Sequence, residues 1–121
     1  MKLYHITSLS NLESIQLNGL SPNFSKEGKY HERLIYLAES EDHAMAYFDH
    51  HNDWSGYALL SIDTDILDHD YLLKDDVDLP DMVDNFDHSI EWLESIKICG
   101  QCSYSKIIPF YMLEIIKISA E

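Results

Sequence analysis

Residues 2–7 (Lys-Leu-Tyr-His-Ile-Thr) alternate and are rich in β-formers, which predicts an opening strand. Ser10-Asn11-Leu12-Glu13 then fits a capping box, in which Ser10 caps the backbone and Glu13 reaches back. Leu12, Ile15 and Gln16 follow at helical spacing, and Gly19 stops the helix. The polar, glycine-containing residues 23–32 read as a loop. Leu34-Ile35-Tyr36-Leu37-Ala38 reads as a short strand. Ser40 then caps a second helix, with Glu41 and Asp42 in the first turn, where negative charge suits the dipole. Ala44, Tyr47 and Phe48 form its apolar side, and Asn52 to Gly56 end it.

Tyr57 to Asp63 is a strong strand candidate, expected to be central. Residues 64–89 are rich in Asp, carry Pro80, and read as a long decorated loop with short helical pieces. Ser95 to Cys99 and Cys102 to Ile107 alternate as strands, and Leu113 to Ile118 make a last one after Pro109. Strands outnumber helices and lack regular βαβ spacing, so an α+β fold is expected rather than a doubly wound one. With no internal repeat or linker, the 121 residues read as one domain over 1–121, and 45% hydrophobic residues suffice for one core.

Charge narrows the partners. The chain has 22 acidic and 8 basic residues, a formal net charge of −14. Such a surface repels phosphate backbones, and Lys26, Lys29 and Arg33 are too sparse to form a basic strip. A macromolecular target is therefore expected to be a protein rather than a nucleic acid. The plain reading of the acid excess is a solvated surface; the sharper one is a nucleic-acid mimic that occupies a basic partner. No apolar run reaches the ~18 residues of a membrane span. The N-terminus lacks the apolar core of a signal peptide, and two cysteines make no disulfide framework. The expectation is a cytoplasmic protein without membrane association.

Several short patterns have bland readings. Cys99-Gly100-Gln101-Cys102 is a C-x-x-C without a second ligand pair for zinc and without a following helix for redox chemistry, so it reads as core cysteines flanking a turn. His43, His50 and His51 with Asp49 and Asp53 read as a solvated helix end before a metal site. Asp63, Asp65, Asp68, Asp70, Asp75, Asp76 and Asp78 lack the order of a calcium loop and read as a solvated loop; no metal is expected.

Three further segments carry a resemblance. Leu3-Tyr4-His5-Ile6-Thr7 runs into Asn11-Leu12-Glu13-Ser14-Ile15 and Gly19-Leu20-Ser21-Pro22. Leu34-Ile35-Tyr36-Leu37-Ala38 is followed by Ser40, His43-Ala44 and Tyr47. Tyr104-Ser105-Lys106-Ile107-Ile108-Pro109 leads to Met112 to Ile116. Together they resemble the ADP-ribosyltransferase superfamily. The first is similar to the opening of DNA-targeting ADP-ribosyltransferase toxins and RNA 2′-phosphotransferases. The second is similar to the Gly-Ile-Tyr-Phe-Ala strand of poly(ADP-ribose) polymerases, and the third to the closing element of the same fold.

The resemblance implies a split antiparallel β-sandwich with flanking helices, and NAD⁺ as substrate. It implies transfer of ADP-ribose to a protein or nucleobase, in a toxin, a phage counter-defence factor or a repair protein. His5 matches a histidine that bonds a ribose hydroxyl, and Thr7 lies two residues on, on the same strand face. Tyr36 matches a tyrosine that stacks on nicotinamide, and Asn11 an asparagine at the first helix. Arg33 matches an arginine suited to pyrophosphate or a reacting base. The family's late glutamate has no direct counterpart: the toxins' spacing lands on Gln101, with Glu94 and Glu91 just upstream. A glutamine accepts a ribose hydroxyl through its carbonyl but supplies no negative charge. A silent module that holds NAD⁺ or ADP-ribose, or an acidic interaction module, is therefore the alternative. The phosphotransferase branch needs more basic residues than this chain has. Taken singly, His5 reads as a satisfied core histidine, Asn11 as a first-turn residue and Arg33 as a surface ion-pair partner.

Overall fold

The computed structural model describes residues 1–24, 33–48, 55–84 and 89–120, with the backbone alone at Asn23, Phe24, Arg33, Tyr47 and Phe48. Most of the loop read over 23–32, Asp49, His50, His51 and Asp53 lie outside the described residues.

The strands are β1 (Lys2–Ser8), β2 (Asn23–Phe24), β3 (Arg33–Ala38), β4 (Tyr57–Asp63), β5 (Leu72–Lys74), β6 (Gln101–Tyr104) and β7 (Leu113–Ser119). The helices are α1 (Leu12–Asn18), α2 (Glu41–Phe48), α3 (Leu79–Met82) and α4 (Trp92–Cys99). This is an α+β arrangement. One sheet runs in the order β5-β6-β3-β1-β4-β7, with β2 attached to β3, and every named pair is antiparallel. The expectation that β4 is central holds for burial: Tyr57 to Ile62 are all buried.

Period-two alternation splits the strand side chains between two cores. Leu3, Leu37, Leu60 and Cys102 pack on one face with Ile15 of α1 and Ile96 of α4. Ile6, Ala38, Tyr57 and Leu59 pack on the other with Ala44 of α2. Burying a side chain of this size contributes roughly 1.5–3 kcal/mol, so each helix is held by its apolar face. α1 ends where Gly19 adopts φ +83°; a Cβ there would lie 2.8 Å from the Ile108 carbonyl oxygen. That close approach lets Leu20 and Ile108 exchange backbone bonds of 2.8 and 2.9 Å.

Four local readings change. Ser95 to Cys99 belongs to α4 rather than to a strand: Trp92, Ser95, Ile96 and Cys99 point inward at helical spacing, and Gly100 closes the helix in the left-handed conformation. The capping box does not form. Ser10 sits in a 3-10 turn, Leu9–Asn11, its hydroxyl is bonded to that of Ser8 at 3.0 Å, and α1 starts without a side-chain cap. Residues 64–89 hold β5 as well as the expected helical pieces. Asp75 and Asp76 are buried rather than solvated. The Ser40 cap forms as expected, with the His43 N–H donating to Ser40 Oγ at 3.1 Å. Among the described residues no helix is long and apolar enough to cross a membrane.

Candidate functional site

β1 pairs with β4 along its whole length, from Lys2↔Asp63 to Ser8↔Tyr57. With β3 it shares the single registered pair Tyr4↔Ala38. Past that pair the two strands part, and a side chain bridges them: His5 Nδ1 lies 2.8 Å from the Tyr36 carbonyl oxygen. A carbonyl only accepts, so Nδ1 carries the proton and Nε2 keeps its lone pair. Burial lowers the His5 pKa, against the opposing pull of that backbone bond. The half-buried ring is therefore a neutral imidazole with a hydrogen-bond acceptor to offer.

A cavity of about 430 Å³ opens at this parting. Small-molecule sites are typically about 300–1,000 Å³. β1 contributes Tyr4, His5 and Ile6, and β3 contributes Tyr36, Leu37 and Ala38. α2 adds His43, Ala44 and Ala46. Val77, Asp78 and Gln101 complete the lining. The wall is mostly apolar and aromatic, with one carboxylate and neither Lys nor Arg among its described residues.

Tyr36 is anchored from behind. Its hydroxyl donates to Asp76 Oδ1 at 2.6 Å, a short charge-assisted bond to a carboxylate only 5% exposed. The next residue back, Asp75, is fully buried. Its Oδ2 accepts the N–H groups of Val77, Asp78 and Leu79 at 3.1, 2.7 and 3.0 Å, which fixes the turn into α3. Asp78 Oδ2 in turn accepts from Gln101 Nε2 at 3.0 Å. His43 rests over Gly100: a Cβ there would lie 2.7 Å from His43 Cε1.

Three of the residues singled out from the sequence meet in this cleft: His5, Tyr36 and Gln101. Thr7 is buried on β1, outside the wall, and its Oγ1 accepts from Asn11 Nδ2 at 3.1 Å. Asn11 is thus tied to the strand and is likewise outside the wall. Arg33 is the first residue of β3, three positions before Tyr36. Glu94 and Glu91 are exposed, on and just before α4, and neither lines the cleft. Helix α4 is the reason: its buried side is spent on Ser95, Ile96 and Cys99.

Asp76, Asp78 and the placement of His43 were not legible, because an acidic run reads as solvated and His43 as part of a solvated helix end. One signal did point to the turn: an Asp shortly before Leu79-Pro80 marks a helix start. No group of three metal-binding side chains occurs among the described residues. Cys99 and Cys102 are free and buried, and burial pushes both thiols up, Cys102 to about 12. Protonated thiols are poor nucleophiles, as core cysteines should be. In comparisons with known proteins, no family model, curated protein or solved structure matches the chain.

Proposed function

We propose that the cleft is an ADP-ribosyltransferase-like NAD⁺ site, from which ADP-ribose is transferred to a protein or nucleobase target. On this reading the parting of β1 from β3 is the split of an ADP-ribosyltransferase-like sandwich. The observation that carries the reading is the bond from His5 Nδ1 to the Tyr36 carbonyl between two residues that line the cavity. It brings the two residues of the family pattern together and leaves Nε2 to accept a ribose hydroxyl. The ring of Tyr36, held by Asp76, offers a face on which nicotinamide stacks.

The wall suits the charged end of this substrate. The nicotinamide of NAD⁺ is cationic and leaves as a neutral ring, and the positive charge passes to an oxocarbenium ion on the ribose. A cleft whose described lining has a carboxylate and neither Lys nor Arg favours that charge and disfavours a phosphorylated RNA end. Gln101 accepts the neighbouring ribose hydroxyl through its carbonyl. Arg33 remains the candidate for the pyrophosphate or the acceptor.

A second reading has one observation in its favour. The side chain at position 101 is a neutral amide, which fits a module that holds NAD⁺ or ADP-ribose without cleaving it. Calorimetric titration with NAD⁺ and ADP-ribose, followed by an assay of nicotinamide release, separates the two. Saturable binding with release supports transfer. Binding without release in the wild type, restored by Gln101→Glu, supports the silent module. No binding of either ligand removes both readings.

A further inference from the structure

For the reaction proposed above, Gln101 leaves the cleft one charge short. A neutral amide accepts a hydroxyl, but it does not offset the positive charge that grows on ribose C1′. Asp78 stands beside it, on the same wall, with Oδ2 3.0 Å from Gln101 Nε2. That bond sorts the amide: its nitrogen faces Asp78, and its oxygen is left to accept. It also spends only one oxygen of Asp78. Backbone geometry holds the carboxylate in place, because the Asp78 N–H donates to the fully buried Asp75 at 2.7 Å. Asp78 is itself exposed, and its side chain makes no capping bond at the start of α3.

We infer that Asp78 and Gln101 act as a pair, in which Gln101 Oε1 accepts the ribose hydroxyl and the Asp78 carboxylate stabilises the cation at C1′. This rests on the NAD⁺ reading. The C1′–N1 bond breaks and its electron pair leaves with nicotinamide. In the absence of an acceptor, a water oxygen adds to C1′ and releases a proton to solvent, giving ADP-ribose. Asp78 is a catalytic residue that is unchanged over the cycle.

The test swaps the pair. Asp78→Asn keeps size and removes the charge. Asp78→Asn with Gln101→Glu restores one carboxylate and reverses the direction of the same hydrogen bond. NAD⁺ binding is read by calorimetry, nicotinamide release by its rate at saturating NAD⁺, and folding by a thermal melt. We expect Asp78→Asn to melt like the wild type, to bind NAD⁺ and to release nicotinamide roughly 100-fold more slowly, and the double variant to recover most of that loss. An undiminished rate in Asp78→Asn overturns the inference, as does a double variant no faster than the single. A wild type that binds NAD⁺ but releases nothing also overturns it, while the binding reading stands. A wild type that binds no NAD⁺ removes the reading, and the inference with it.

Discussion

Tyr36 holds two groups with two different atoms: its carbonyl takes the His5 proton, and its hydroxyl is bonded to Asp76. Tyr36→Phe removes the second bond and leaves a nearly buried carboxylate without that donor. The loss should be about 2 kcal/mol, read as a shift of the urea midpoint at unchanged slope. An unshifted midpoint would mean that the 2.6 Å bond adds nothing. His5 gives a pH signature. Burial lowers its pKa in the folded chain, against 6.5 when unperturbed. Above that value both states hold a neutral ring. As the pH falls below about 6.5, the unfolded chain gains a proton that the folded chain resists, so stability declines toward the lower, folded pKa. His5→Asn should flatten that part of the acid-side slope in urea melts; an unaltered slope would contradict the buried neutral imidazole. Both side chains were picked out by the resemblance rather than by their local pattern. Asp75 and Asp78 could not, since what buries one and aims the other is a turn closed by three backbone N–H groups.

The same limit appears in the elements. β1, β3, β4 and β7 are long enough for alternation to declare them, and the structure has all four. Over Ser95 to Cys99 the pattern is too short to separate period two from 3.6, and only with Trp92 included does the helical spacing emerge. Gly100 decides where α4 stops. Its φ of +80° costs a residue with a side chain about 1–2 kcal/mol, and a Cβ would also press on His43 at 2.7 Å. Gly100→Ala should therefore lower stability by that amount and weaken NAD⁺ binding, because His43 has to leave its place on the cleft wall. Calorimetry beside a urea melt separates the two effects. A loss of stability with unchanged binding would show that His43 is not part of the ligand surface. The capping box fails for a related reason: the serine pair bonds to itself, and Asn11 turns back to Thr7.

For the molecule as a unit, the α+β class was readable because strand and helix signals are unevenly spaced. The strand order was not, because pairing across β3, β1 and β4 is a long-range choice. The parting of β1 from β3 was not readable. Nothing in the alternation of either strand announces that their ladder stops at Tyr4↔Ala38. On the proposed reading, that parting is where a chain of net charge −14 would take a dinucleotide. On the NAD⁺ reading proposed above, the described residues of the cleft offer aromatic side chains and one carboxylate to the cationic end of the ligand and leave the pyrophosphate to lie elsewhere. A crystal structure of the chain with bound NAD⁺ tests this arrangement most directly. The nicotinamide ribose should sit within hydrogen-bond distance of His5 Nε2 and Gln101 Oε1, with its ring against Tyr36 and Asp78 near C1′. A dinucleotide bound away from the β1–β3 gap, or a ribose facing Glu91 or Glu94 instead, would contradict it.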